Sequence, residues 1–333
     1  LSRNVVLVTG GAGFIGSNVV ARLCEDGGAD VVVCDRLRQT DLGKWRNIAK
    51  HPIGDLIAPE ALWPWLESHG EEVGLVIHMG AISSTTESDA DLIAGVNFGL
   101  SRDLFRWCAE RRRRLIYASS AATYGDGRLG FDDRDDLDHL TALRPLNAYG
   151  WSKALFDIFA LRQAARGVAP PQWTGLKFFN VFGPNEAHKG SMRSVVAQIW
   201  PRVAAGEPVR LFRSDNPAYP DGGQLRDFVY VRDVADCIAW LARQGGPSGV
   251  FNLGSGKART FEDLARAVFA AAGREPRIEF VDMPATLRGQ YQYFTEARMD
   301  RLRESGWNAS STSLEAGVTD YVSRFLATDD PYL

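Results

Sequence analysis

The sequence predicts an α/β fold: a doubly wound parallel sheet with helices on both faces and a smaller C-terminal α/β lobe. Short β-branched runs alternate with longer helical patterns through the first half of the chain, which is how a parallel sheet built from crossover units reads. A glycine-rich turn links the first such run to the first helical pattern. Size agrees: 333 residues, 45% apolar and 24% charged, lie in the globular range and suggest two lobes at ~150 residues per domain.

In chain order, Val5 to Val8 is the first strand and a helix starts near Phe14. Val31 to Cys34 and Leu75 to His78 are the next strands, each a short apolar run bounded by turns. A long helical pattern runs from about Asp89 to Arg112. Leu115 to Ala118 follows as a strand, Ala148 to about Ala165 as a helix, and Leu176 to Phe179 as a strand. Beyond it the alternation loosens. Asn185 to Met192, Ser214 to Gln224 and Pro284 to Thr295 are too long and irregular for ordinary connectors, so they are expected to line a binding lobe. Residues 1–180 are expected to form a dinucleotide-binding sheet domain, with a later stretch at about 226–255 returning to it. Residues 181–333 then form mainly a substrate lobe. Two charge runs read as solvated. Arg111 to Arg114 suits a helix C-terminus, and the cluster Asp132, Asp133, Asp135, Asp136 and Asp138 matches no calcium loop.

Composition removes several function classes. A net charge of −3 provides no positive field for nucleic acid or an anionic membrane. The four cysteines, Cys24, Cys34, Cys108 and Cys237, form no CxxC and imply reduced thiols in the cytoplasm with no structural metal. No apolar stretch approaches the ~18 residues of a membrane span, and the Asn4 to Thr9 run is too short for a signal sequence. Only six of the 38 basic residues are lysines, so each lysine is mildly favoured to supply ammonium chemistry that guanidinium cannot.

The turn reads Thr9-Gly10-Gly11-Ala12-Gly13-Phe14-Ile15-Gly16, placed between a strand and a helix. Gly10 permits the tight turn, Gly13 lets the backbone approach a pyrophosphate, and Gly16 allows close helix-on-strand packing. Asp35, nineteen residues beyond Gly16 at the end of the second strand, can accept ribose hydroxyls. Together these predict a Rossmann-type sheet holding a nicotinamide dinucleotide. Arg36, Arg38 and Lys44 could neutralise a 2′-phosphate, so NADP and NAD both remain open, with NADP preferred. Asn97 is a helix-interior polar residue near the cofactor.

Ser120, Tyr149 and Lys153 supply a hydroxyl, a phenol and an ammonium. Tyr149 and Lys153, four apart on one helix, point the same way, and the ammonium is expected to draw the phenol pKa down toward working pH. Ser120 would share the hydrogen bond to a substrate oxygen. His78 and His188 read as satisfied polar groups without a catalytic role.

With its TGxxGxxG turn, its serine after the fifth strand and its YxxxK helix, the chain resembles the extended short-chain dehydrogenase/reductase family over nearly its whole length. Longer strings are similar to the ADP-glyceromanno-heptose 6-epimerase branch: His78 to Glu87, Tyr117 to Gly125, Phe179 to Pro184, Arg226 to Val231 and, most specifically, His-Lys-Gly-Ser-Met at His188 to Met192. The resemblance implies an isomerase that oxidises C6″ of the heptose, lets the planar carbonyl rotate and returns the hydride to its other face. Inversion carries the oxygen away from Tyr149, and the resemblance places Lys189 as the second acid/base; a diphosphate clamp is its alternative role. It further places Phe14, Ile15, Asp35, Arg36, Lys44, Met79, Gly80, Ala81, Ile82, Ser83, Asn97, Lys153 and Val181 on the cofactor. Asn180, Ser191, Arg226 and Tyr291 would hold the ADP-heptose, in a homo-oligomer of which a pentamer is the implied form.

Departures from the branch are local. A cofactor-site lysine falls at about Pro59 and a substrate-site histidine at Gln198. A Phe-Glu-Gly-Ser turn reads Phe212, Arg213, Ser214, Asp215, and the loop from Asn216 to Gln224 is longer than expected. The alternatives are a 4-epimerase or dehydratase using the same Tyr149 and Lys153, or a non-catalytic dinucleotide sensor. Ala121 and Ala122 after Ser120 argue against a dehydratase, which usually has an acid there.

Overall fold

Val5 to Val8 is apolar without alternation, the pattern of a strand buried on both faces. It lies at the centre of a seven-stranded sheet in the computed structural model, which describes residues 4–37, 43–85, 87–284 and 292–333. The sheet strands up to the middle of the chain are β1 (Val5–Thr9), β2 (Asp30–Cys34), β3 (Asp55–Ile57), β4 (Val73–His78), β5 (Arg114–Ser120) and β6 (Trp173–Phe178). Beyond them come β7 (Asn180–Phe182), β8 (Val209–Phe212), β9 (Leu225–Tyr230), β10 (Gly249–Leu253), β11 (Ala258–Thr260) and β12 (Ile278–Val281). The large sheet runs β3-β2-β1-β4-β5-β6-β10, every pair parallel, which is the doubly wound Rossmann-type order. Separately, β11, β9 and β7 form a three-stranded sheet, and β12 pairs with β8.

The helices are α1 (Phe14–Asp26), α2 (Leu62–His69), α3 (Ala90–Ile93), α4 (Leu100–Glu110), α5 (Leu137–Ala142), α6 (Ala148–Ala165), α7 (Val195–Ala204), α8 (Val231–Gln244) and α9 (Phe261–Ala271). One core cluster packs α1 and α8 on one face of the large sheet. Another packs α2, α4 and α6 on the opposite face, and a third lies among α7, α9 and the small strands. Among the described residues no helix is long and apolar enough to cross a membrane.

Four expectations are corrected. The pattern from Asp89 to Arg112 is broken by a π-helical stretch, Ala94–Gly99, between α3 and α4. There Ser101 Oγ donates to the Asn97 carbonyl at 2.5 Å, so a side chain enters the helical ladder, where such bulges arise, while the Asn97 side chain accepts from the Ile82 amide at 2.8 Å and donates to the Ile82 carbonyl at 3.0 Å. Strand β6 begins at Trp173 rather than Leu176, because Trp173, Thr174 and Gly175 already pair with Leu115, Ile116 and Tyr117 of β5; Lys177 is fully buried in it. The arginine run does not all face water: Arg113 is 2% exposed and donates to the Gly70 carbonyl and to Glu71. Nor is the aspartate cluster wholly solvated: Asp136 and Asp138 are exposed, but Asp133 and Asp135 accept from the Asn252 and Val250 amides and so pin the sheet-edge strand β10.

A buried ion pair fastens the middle of the sheet. Lys177 on β6 donates to Asp157 on α6 at 2.8 Å and to Thr123 at 2.6 Å. Asp157 also accepts from Tyr117 at 3.0 Å and Ser119 at 2.7 Å on β5, so β5, α6 and β6 meet at one carboxylate. Removing one partner strands the other charge. Lys177→Met is therefore expected to cost about 3–5 kcal/mol in urea unfolding, and Lys177→Met with Asp157→Asn clearly less. Equal losses would mean that the pair's charge is not what matters.

Candidate active site

Strand order reverses between β1 and β4, and in doubly wound sheets ligands bind in the crevice at that point. The glycine turn leaves β1 there. Gly10 has φ +67°, and a Cβ on it would lie 2.5 Å from the Gly80 amide nitrogen beyond β4. A Cβ on Gly16 would sit 2.1 Å from the Gly10 carbonyl oxygen, so only glycine lets α1 start this close to the turn. At this N-terminus Gly13 supplies the extended N-cap residue, with Phe14 and Ile15 opening the helix. Exposed amides at a helix start backed by a crevice fit the pyrophosphate of a dinucleotide.

Asp35 follows β2 with its carboxylate nearly buried. Oδ2 accepts from the Ala12 amide at 2.9 Å, while Oδ1 accepts from Lys44 Nζ at 2.6 Å and from the Arg36 amide at 2.7 Å. The carboxylate thus braces the glycine turn and its charge is already matched by Lys44. Arg36 is exposed and pairs with Glu60, beside Pro59. Arg38 lies outside the described residues. On the other side of the crevice Met79 donates its amide to the Thr9 carbonyl, and the chain beyond β4 continues through Gly80, Ala81 and Ile82, partly covered, to an exposed Ser83. Asn97 bridges that segment to α6 by donating to Ser152 at 3.1 Å.

The three residues expected to transfer protons come together from two elements. Ser120 ends β5 and accepts from the Ala122 amide at 3.1 Å, while Asn147 caps α6 at the Gly150 amide, 2.8 Å away. A Cβ on Gly150 would meet the Ala122 carbonyl at 2.6 Å, so this glycine lets the helix carrying Tyr149 press against the Ser120 turn. Tyr149 and Ser120 are hydrogen-bonded. Lys153 is buried and donates to the Ala118 carbonyl at 2.8 Å. Burial lowers its pKa to about 8, against the opposing pull of Asp157. The expected depression of Tyr149 does not occur in the protein alone: burial pushes the phenol up, and the Ser120 hydrogen bond only partly offsets it. Lys153 spends its ammonium on the β5 backbone instead.

Lys189 lies in the loop after β7, with Nζ 5.0 Å from the centroid of the Phe14 ring, beside the glycine turn. Burial lowers its pKa, opposed by the buried Glu186 carboxylate. Asn180 is exposed at the start of β7 and Val181 packs between two core clusters. Arg226, on the neighbouring β9, is 8% exposed and stacks 5.6 Å from the Phe261 ring centroid. Gln198 turns onto its own loop, donating to the Ser191 and Arg193 carbonyls. Phe212 ends β8, Arg213 pairs with Asp282 at 3.1 Å, and Ser214 closes a turn onto Asn216, with Asp215 between them at the surface. Tyr291 lies outside the described residues.

A model of the NAD dependent epimerase/dehydratase family matches residues 6–254. The chain belongs to that family. Two family relatives named ADP-L-glycero-D-manno-heptose-6-epimerase are similar over essentially full length. The one from Nitratidesulfovibrio vulgaris (strain DP4) is 50% identical, covering 98% of this chain and 99% of the relative. That from Fusobacterium nucleatum subsp. nucleatum is 45% identical over 99% and 100%. The crystal structure of the Helicobacter pylori enzyme of that name superposes with TM-score 0.77 at 28% identity over 96% of both chains. A UDP-glucose 4-epimerase from Thermus thermophilus, in complex with NAD, gives 0.71 at 27%, over 95% of this chain and 96% of that one.

Sequence reasoning missed Asp157, although the scarcity of lysines pointed at its partner Lys177. It read His78 as a satisfied polar group, and the structure agrees: the ring lies between Thr9 at 2.6 Å and Ser101 at 2.8 Å. Burial, aided by Lys153, lowers its pKa to about 3. His78 therefore stays neutral in the folded protein while the unfolded chain takes up a proton below about 6.5, so stability falls as pH drops from about 6.5 toward 3. The slope expected from this group is about 1.4 kcal/mol per pH unit. Chemical denaturation between about pH 4 and 6.5 should show the parent losing stability faster than His78→Asn, and parallel curves would contradict the assignment.

Proposed function

We propose that this protein is an isomerase that inverts C6″ of ADP-D-glycero-D-manno-heptose to give ADP-L-glycero-D-manno-heptose. Full-length identity of 45–50% to two heptose epimerases carries the reading, and the site contains the groups such a reaction needs. A bound nicotinamide dinucleotide would supply reversible hydride acceptance and, when oxidised, a positively charged ring. Gly10, Gly13, Phe14, Ile15, Gly16 and Asp35 would hold its adenosine and pyrophosphate. Met79, Gly80, Ala81, Ile82, Ser83, Asn97 and Val181 would flank it.

In this reading Tyr149 takes the C6″ hydroxyl proton, Ser120 holds the oxygen, and Lys153 stabilises the anionic phenol as it forms. The planar ketone then turns, and its oxygen faces a second donor. Lys189 fits that role because burial draws its pKa toward the range in which an ammonium gives up and regains a proton. Asn180, Ser191, Gln198, Arg226 and the Phe212 to Asp215 turn, all in the substrate lobe of residues 181–333 or at its edge, would hold the nucleotide sugar. For the dinucleotide we favour NADP: Lys44 already offsets the Asp35 charge, and Arg36 stands next to it.

Proton NMR of the purified protein with ADP-D-glycero-D-manno-heptose tests the proposal directly. Interconversion with deuterium at C6″ retained is expected, and exchange of that label into water rules out hydride return. Tyr149→Phe should keep its dinucleotide and lose turnover by at least about 10²-fold, the usual scale for a general acid–base. Lys189→Met should fold normally and epimerise poorly by the same assay. Arg36→Ala should weaken NADP binding more than NAD binding in calorimetry, and equal losses would favour NAD.

A further inference from the structure

Two asparagines to which neither motif nor resemblance gives a role lie buried between the cofactor cradle and the Lys189 loop. Asn47 is 1% exposed and ends the short turn Lys44–Asn47, while Asn185 is 2% exposed and follows Gly183-Pro184. Asn185 has φ +71°, a left-handed conformation that among side-chain-bearing residues mainly Asn and Asp adopt. Glycine would also fit the backbone there, and asparagine adds an amide.

The amides form a reciprocal pair. Asn47 Nδ2 donates to the Asn185 carbonyl at 3.2 Å, and Asn185 Nδ2 donates to the Asn47 carbonyl at 3.2 Å. Each then reaches the cradle independently. Asn47 Nδ2 donates to the Ala12 carbonyl inside the glycine turn at 2.8 Å, and Asn185 Nδ2 donates to Ser17 Oγ in the first turn of α1 at 3.0 Å. Asn18 adds a donor to the Pro184 carbonyl at 3.1 Å. On the other side Asn47 Nδ2 lies 3.2 Å from His188 Nδ1; burial, with Lys44 and Lys189 nearby, holds the His188 pKa at about 4. The next residue is Lys189, over the Phe14 ring.

Three segments distant in sequence therefore meet at two side chains: the phosphate turn, the turn whose Lys44 grips Asp35, and the loop that carries Lys189. We propose that the Asn47–Asn185 pair is the positioning unit that seats the Lys189 loop on the dinucleotide cradle, so that one set of hydrogen bonds aligns both the cofactor and the second proton-transfer group. This rests on the assignment of Lys189 above. Neither asparagine touches the reacting atoms. Each acts through the placement of Lys189 and of the turn.

The test uses the purified protein with its bound dinucleotide and ADP-D-glycero-D-manno-heptose as substrate. Turnover is expressed per bound dinucleotide, which removes the contribution of unfolded or empty protein. Asn185→Gly keeps the left-handed backbone and deletes the amide; Asn47→Ala attacks the same unit from the other side, should the first variant fold poorly. Each is expected to lower kcat about tenfold with KM changed less than about twofold, a loss typical of a slightly misplaced catalytic group. The double variant should lose no more than the worse single one, because both act as one unit. A merely structural role would lower Tm and leave kcat per bound dinucleotide within about twofold, and that result overturns the proposal, as does a double-variant loss equal to the product of the single ones. Lys189→Met, run alongside, separates the two readings. If it is crippled while the asparagine variants turn over normally, only the positioning role fails. If it is fully active, the Lys189 assignment fails and the proposal goes with it.

Discussion

Everything in this molecule depends on backbone crowding at the end of β1. The Gly10 turn passes against Gly80, and α1 begins so close to that turn that a Cβ on Gly16 would overlap the Gly10 carbonyl. Side chains cannot occupy this space, and the free amides of a helix start face whatever lies in the crevice. The same crowding brings the C-terminal ends of β1 and β4 together where the strand order reverses. A dinucleotide site follows from the steric constraint itself.

Around that constraint the chain uses buried polar contacts to register one element against another. Asp157 gathers β5, α6 and β6, and with them the segments that carry Ser120, Tyr149 and Lys153. Asn97, within the π-helical stretch Ala94–Gly99, holds the Ile82 backbone on one side of the crevice. Buried polar groups of this kind are costly unless fully paired, and the pairing admits few alternative arrangements. Apolar packing alone would permit small slips between strand and helix. In the proposed reaction Ser120 and Tyr149 meet one substrate oxygen while Lys153 backs the phenol, an arrangement that tolerates few such slips.

The electrostatics of the site differ from what the spacing of Tyr149 and Lys153 suggests. Four residues on a helix place both side chains on one face, yet burial raises the phenol pKa and lowers that of the lysine. Lys153 is bonded to the Ala118 carbonyl, so its charge is partly spent on the strand. In the proposed reaction the phenolate is therefore favoured chiefly when substrate and an oxidised dinucleotide are in place, which couples proton transfer to a filled site.

Much of this was legible in the linear sequence, because the signals are local. The glycine spacing, the carboxylate at the end of β2, the YxxxK pair and the strand–helix alternation each follow from contacts within a few residues or from periodicity. The fold class, the cradle and the membership of the epimerase/dehydratase family were visible on that basis. What escaped depended on partners distant in the chain. Nothing near Lys177 in the chain announces that Asp157 neutralises it inside the sheet, and the aspartates at 133 and 135 looked solvated until β10 was laid against them. Asn47 and Asn185 carry no motif, since their role exists only where three remote segments converge. A residue's polarity is a property of the sequence, but whether that polarity is satisfied in the interior is decided by tertiary structure alone, because the partner that satisfies it is supplied by the fold.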